Sequence, residues 1–275
     1  MEAFHHRQCD PQRASGWRSV TDRRALLFDV GNTRLKWGVL ENDRIVRSGS
    51  IDRDKLKRQG FAPLTTRLPA NVDYVLVSNV AGRAFATRIA GVIGIHCDTD
   101  IHFARSEKEA YGVKSAYRQP RRLGVDRWVA LVGARAQTGS AVCVVDAGTA
   151  VTIDAMDNTG QHLGGQIIPG PRLMAAALSR ETSDIGLPSG TPRDPGSGMG
   201  LFARNTGEAV QSGTLGAACG AIERAAKTMR AAGLRPKIVL TGGDASRILK
   251  QLDCNVLHRP HLVLQGLAHM VQSET

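Results

Sequence analysis

The sequence predicts an α/β protein made of two similar halves, each a mixed sheet flanked by helices. Three observations carry that prediction. Short apolar, β-branched runs alternate with stretches of helical period along most of the chain. A strand–turn–strand unit occurs twice, once around Asp29-Val-Gly-Asn-Thr33 and once around Asp146-Ala-Gly-Thr149, which is the mark of an internal duplication. A third strand, Lys237–Thr241, runs straight into Gly242-Gly243-Asp244. The expected division is a disordered extension over residues 1–24, a first half over 25–122 and a second half over 123–275.

Taken in order, residues 1–24 hold arginines, His5-His6 and few apolar residues, and lack the hydrophobic core of a secretory signal. A strand then runs to Asp29, and a hairpin leads to a strand ending near Leu40. The polar turn Glu41-Asn42-Asp43 and a strand near Ile45–Ser50 complete a meander. A charged helix is expected over 52–59, a strand at Tyr74–Asn79 and a helix over 83–91. Short strands follow at Ile93–His96 and Ile101–Ala104. Pro120 breaks the chain, and Val125, Trp128, Val129 and Val132 then fall on one helical face, with Asp126 and Arg127 in its first turn. At that helix N-terminus the positive end of the dipole would keep Asp126 ionised.

The second half begins with the buried strand Ala141–Val145 and the alternating strand Val151–Asp154. His162–Gly170 reads as a strand ending in a Pro-Gly turn, followed by a helix over Arg172–Ser179. Residues 183–200, rich in Gly, Pro and Ser, read as a mobile loop. A helix over about 207–231, a strand over 237–241, a helix near 245–251, a strand over 255–258 and a last helix finish the chain.

Composition narrows the function. No apolar run approaches the ~18 residues of a membrane span, and 42% hydrophobic with 22% charged residues is ordinary for a globular protein. The five cysteines are odd in number and lack Cys-x-x-Cys spacing, as expected of reduced thiols in a cytoplasmic protein. A net charge of +11 suits an enzyme with anionic substrates. Specific nucleic-acid binding is not expected, because the arginines are dispersed, aromatics are scarce and no base-reading motif is present. The His96-Cys97-Asp98 cluster and the His258/His261 pair read as loop and strand-end residues rather than metal ligands. Gly196, Gly198 and Gly200 do not follow a strand and so fail as a dinucleotide loop.

The chemistry lies in the two hairpins. Gly31 and Gly148 allow the backbone to bend and another group to approach. Turn amides, a threonine hydroxyl and a carboxylate able to face a divalent cation together suit a polyphosphate and its Mg²⁺. With the late Gly-Gly turn, the set resembles the acetate kinase, sugar kinase, Hsp70 and actin superfamily, in which duplicated ribonuclease H-like domains clamp ATP between paired phosphate hairpins.

Four blocks sharpen the resemblance: Asp29-Val-Gly-Asn-Thr33 with Lys36, Gly124-Val-Asp-Arg127, Asp146-Ala-Gly-Thr149, and Gly165-Gln-Ile-Ile-Pro-Gly170 followed by Asn205-Thr206-Gly207-Glu208. In order and spacing, from about Leu26 to Gly266, they resemble the type III pantothenate kinases, the family that includes the Bvg accessory factors. The resemblance implies ATP-dependent phosphorylation of pantothenate to 4'-phosphopantothenate, the first step of coenzyme A biosynthesis. It implies that Asp29, Val30, Gly31, Asn32, Thr33, Arg34, Leu35, Lys36 and Thr149 bind ATP, with Asp29 near Mg²⁺. Asp146 would hold a monovalent cation, K⁺ or NH₄⁺. Tyr117, Gly124, Val125, Asp126 and Arg127 would bind pantothenate, with Asp126 as the base, and Thr206 would reach pantothenate across a homodimer interface. Two alternatives stay open here: a non-catalytic transcriptional accessory factor, suggested by the charge and by the names of some relatives, and a superfamily kinase for another small hydroxyl substrate.

Overall fold

The computed structural model describes residues 24–186 and 202–273. The expected tail, apart from Arg24, and most of the expected loop over 183–200 therefore lie outside the described residues. In chain order the elements are β1 (Ala25–Val30), β2 (Arg34–Glu41), β3 (Arg44–Asp52), α1 (Arg53–Gln59), α2 (Ala62–Thr65), β4 (Tyr74–Asn79), α3 (Arg83–Cys97) and β5 (Ile101–Phe103). A small hairpin, β6 (Glu109–Ala110) and β7 (Val113–Lys114), precedes a single 3₁₀ turn at Pro120–Arg122 and α4 (Val125–Gln137). Then come β8 (Val142–Ala147), β9 (Ala150–Met156), β10 (His162–Pro169), α5 (Pro171–Glu181), α6 (Thr206–Ala231), β11 (Lys237–Thr241), α7 (Ala245–Leu249), β12 (Val256–His258) and α8 (Leu262–Ser273).

The duplication is explicit in the sheets. The first has the order β3-β2-β1-β4-β5 and the second β10-β9-β8-β11-β12. In each, an antiparallel three-strand meander continues into two parallel strands. β1 and β8 are central, which is why both are apolar almost throughout.

The two-residue period of those strands sorts their side chains between separate cores. Leu26, Phe28 and Val30 join α1–α3 on the outer face of the first sheet. Ala25 and Leu27 face the opposite way, into a central core shared with Val142 and Val144 of β8. Cys143 and Val145 turn outward, with α6 and α7. The same alternation puts Asp29 on the inner face of β1 and Asp146 on the inner face of β8, each at its strand's C-terminal end. Period and register alone thus aim the two carboxylates into the space between the sheets.

Helices α4 and α8 fill the central core, and a fully buried Leu or aromatic there contributes ~1.5–3 kcal/mol. They cross with almost no side chain between them. A Cβ on Gly133 would meet the Leu262 carbonyl at 2.6 Å, and one on Gly266 would run into the Val129 carbonyl. α8 also lies against β1, β2 and β4 of the first sheet.

Two local expectations are corrected. Ile93–His96 is not a strand but the last part of α3, because Phe85, Ile89, Ile93 and Cys97 are buried at intervals of four, a helical repeat. Gly91 and Gly94 disguise that repeat as punctuation. The β6–β7 hairpin was not foreseen; its turn residues Tyr111 and Gly112 both have positive φ, 52° and 72°, as a two-residue hairpin requires.

Candidate active site

The first hairpin turn is closed by Gly31 N–H donating to the Arg34 carbonyl. From α1, Arg53 Nη1 donates to the Asn32 carbonyl at 2.8 Å and more weakly to that of Gly31 at 3.3 Å. Val30 and Leu35 are fully buried in the outer core, so only their backbone faces the turn. Asn32, Thr33 and Arg34 are exposed, and Arg34 donates to Asp52 at 2.9 Å. The second turn is closed by Gly148 N–H to the Ala150 carbonyl. Gly170 backs it by donating to the Thr149 carbonyl at 2.8 Å. The two turns meet: Thr33 Oγ1 and Thr149 Oγ1 are 2.7 Å apart, bridging the two sheets.

Behind this contact three carboxylates share one field. Asp29, only 8% exposed, is pushed up to about 7, first by burial and then by Asp146 and Asp126, with Lys36 opposing. Lys36 Nζ lies 3.9 Å from Asp29 Oδ2. Asp146 is raised by burial and by Asp126, again against Lys36. Asp126 is raised chiefly by burial; the Arg127 N–H, which donates to Asp126 Oδ1 at 2.8 Å, and the Arg127 charge pull the other way. Burial and the first-turn N–H thus act on Asp126 in opposite senses. Gly124 makes this geometry possible, since a Cβ there would stand 2.7 Å from Asp126 Oδ1.

Among the described residues no group of His, Cys, Asp and Glu forms a ready-made metal cage. Three clustered carboxylates with one nearby lysine suit instead a cation that arrives on phosphates and keeps much of its water shell, as Mg²⁺ does.

Next to this cluster lies a buried polar chain. Arg127 is held fork to fork by Asp154, with Nε–Oδ2 at 2.9 Å and Nη2–Oδ1 at 2.6 Å. Arg127 Nη1 donates to the Tyr117 hydroxyl at 2.9 Å. His162 Nε2 is 3.0 Å from Asp154 Oδ1, and its ring stacks on Tyr117. Burial alone would raise Asp154, but the hydrogen bonds from His162 and Arg127 and the Arg127 charge outweigh it and hold the carboxyl below its ordinary range.

Thr206 opens α6, where the Asn205 side chain caps the helix by accepting from Glu208 N–H at 2.9 Å. It borders a cavity of about 730 Å³ between α5 and α6, lined also by Pro169, Met174, Leu178 and Val210. The structure therefore brings together Asp29, Lys36, Asp126 and Asp146, pairs Thr33 with Thr149, joins Tyr117 to Arg127, and sets Thr206 at the start of α6 beside the α5–α6 cavity.

A family model for type III pantothenate kinase matches residues 25–228. The chain belongs to the type III pantothenate kinase family. A type III pantothenate kinase from Nitrosococcus oceani is 34% identical over 254 residues, covering 90% of this chain and 93% of its own. Another from Azoarcus sp. strain BH72 is 36% identical over 251 residues, covering 88% and 89%. Among solved structures, a Sinorhizobium meliloti protein described as a 2-dehydro-3-deoxygalactonokinase aligns with a TM-score of 0.59 at 14% identity, over 91% of this chain and 99% of that one. A Campylobacter jejuni protein described as a Baf family transcriptional activator aligns with a TM-score of 0.57 at 20% identity, over 90% and 98%. At such identities they show a shared fold, two mixed sheets flanked by helices.

In this type III pantothenate kinase, Asp154 and His162 pass for ordinary strand residues in the sequence, and Gly165 is marked there only as the start of the Gly165–Gly170 block, without a role at the site. One signal was present. Gly165 stands directly opposite Asp154 across β9 and β10, and a glycine inside a strand often marks a close approach. A Cβ at Gly165 would collide with both Asp154 Oδ1 and Arg127 Nη2.

Proposed function

We propose that this type III pantothenate kinase transfers the γ-phosphoryl group of ATP to the primary hydroxyl of pantothenate in the space between its two sheets. The observation that carries the reading is the meeting of the Thr33 and Thr149 hydroxyls together with three electrostatically coupled carboxylates, Asp29 buried and Asp126 and Asp146 half-buried. Phosphoryl transfer needs mainly positioning and neutralisation of charge. The Asp29–Lys36 hairpin would hold the ATP phosphates through its turn amides and the Lys36 ammonium, while Thr149 contacts them from the opposite turn. Asp29 would face Mg²⁺ carried on the phosphates, and the ion would supply charge neutralisation there. Asp146 would hold K⁺ or NH₄⁺, which fits a carboxylate that shares its field with Asp29 and Asp126 and has only Lys36 opposite.

Asp126 would accept the hydroxyl proton. Burial raises its affinity for a proton, which makes it a better base than an exposed carboxylate. Tyr117, Gly124, Val125 and Arg127 would seat pantothenate beside it. Thr206 would complete that seat from a second subunit of a homodimer built on the half spanning 123–275. The half spanning 25–122 would carry the first phosphate hairpin. A cytoplasmic location fits the free thiols of Cys97, Cys143, Cys219 and Cys254.

The test is incubation of the purified protein with ATP, Mg²⁺ and pantothenate, with and without potassium or ammonium, following phosphopantothenate by mass. Product should depend on the monovalent cation. Asp126→Asn should fold normally and lose about 10²–10⁴-fold in kcat; near-native turnover in that variant would remove Asp126 from the base role.

A further inference from the structure

We propose that Asp154 and His162 are positioning residues for the phosphoryl acceptor, acting through Arg127 and Tyr117. This inference rests on the kinase reading above and adds a device that holds the acceptor seat in shape. Arg127 is 6% exposed, in the first turn of α4. A guanidinium so buried is costly unless its donors are matched in direction as well as charge. Asp154 matches them in a planar, two-point pairing, which fixes the plane of the guanidinium as a single contact would not. His162, fully buried on the neighbouring strand, donates through Nε2 to the same carboxylate and fixes Asp154 in turn.

Each link therefore sets the next, from His162 to Asp154 to Arg127 to Tyr117. Two consequences follow from counting donors. The Arg127 charge is already matched by Asp154, so Arg127 serves as an aimed hydrogen-bond donor rather than as an unpaired cation. The Tyr117 hydroxyl accepts from Arg127 Nη1, which leaves its own proton to donate to the acceptor substrate. Gly165 belongs to the same device, since any side chain there would occupy the space of the Arg127–Asp154 pair. Asp154 sits on β9 behind the second turn, but among the described residues no hydrogen bond or ion pair joins the side chains of these four residues to Asp29–Lys36 or to Thr149, so the effect of loosening the chain should fall on pantothenate and spare ATP.

Steady-state kinetics on the purified full chain with ATP, Mg²⁺, a monovalent cation and varied pantothenate test this. Asp154→Asn should lower kcat/KM for pantothenate on the order of 10²-fold, the scale of a misplacement near 1 Å, and leave the ATP KM within about twofold. Because Asp154→Asn could also unfold the chain by stranding Arg127, His162 supplies a second pair of variants. In His162→Gln the side-chain amide falls where imidazole Nε2 does and should retain most of the pantothenate affinity. His162→Leu, which cannot donate, should raise the pantothenate KM about tenfold, the scale of one hydrogen bond to a charged group. A purely structural role would reduce the amount of active enzyme and leave both KM values unchanged; that result, or equal losses in Gln and Leu, overturns the inference. Absence of phosphopantothenate with wild-type protein overturns the kinase reading and this inference with it, whereas wild-type turnover with unaltered variants overturns this inference alone.

Discussion

In the β1–β2 hairpin the turn is held by a side chain, Arg53, reaching back from α1 to the Gly31 and Asn32 carbonyls. In the β8–β9 hairpin the corresponding turn is held by main chain. Gly170 donates to the Thr149 carbonyl, and Gly242, at φ 102°, lies so close to Ala147 that a Cβ would collide with its backbone. The charges differ in the same sense. The first hairpin carries Arg34 and Lys36, while the second, from Asp146 to Asp154, carries no cation. Two copies of one plan have thus divided the work. In the proposed reading one would bring positive charge to a polyanion on a turn tied by a long side chain, and the other would offer a hydroxyl and amides on a turn wedged in place by glycines. Lys36 is the exception that serves both, since it opposes the upward shifts of Asp29 and of Asp146.

Removing that shared cation should have the largest effect. Lys36→Met is expected to cut kcat about 10²–10³-fold, the scale of losing one aimed charge-stabilising donor, in a protein that still melts cooperatively. A loss below about tenfold would mean that Arg34 or Arg53 supplies the charge instead. Wedging the second turn apart comes next. In Gly170→Ala the added methyl meets the Gly148 and Thr149 carbonyls, and overpacking of this kind costs about 1–3 kcal/mol. The ATP KM should rise together with a fall in Tm, and an unchanged Tm would show that the turn yields freely.

The smallest effect is a matter of pH. Asp29 binds its proton more tightly folded, near 7, than the ordinary value of 3.8. The folded protein therefore holds the extra proton between those values, and its stability falls as pH rises through that window. Asn at position 29 cannot ionise. Asp29→Asn should raise Tm relative to wild type more at pH 8 than at pH 5, with no ligand present. Equal differences at the two values would place the Asp29 carboxyl in a wetter setting than its burial implies.

What could be read from the sequence was local. Period-two apolar runs found β1, β2, β4, β8, β9 and β11, and the Asp-x-Gly turns found both hairpins, because side-chain alternation and turn chemistry are written within a few residues. The same periodicity failed at Ile93–His96, where glycines interrupted a helical repeat. The Asp154–Arg127 pairing and the Gly133–Gly266 crossing join positions far apart in the chain. Nothing near Asp154 announces a partner on α4, and only the glycine facing it across the strand pair hints at one.

The position of α8 has a consequence for how the chain acquires its shape. Its residues are the last described, yet they cover the inner face of the sheet that begins at Ala25. As the polypeptide leaves the ribosome, β1, β2 and β4 emerge long before the helix that shields them, so that apolar face stays open to solvent or to a chaperone until α8 has been made. The first hairpin therefore matures late, and a chain stopped short of Leu262 would have no finished nucleotide-facing sheet however complete its motifs.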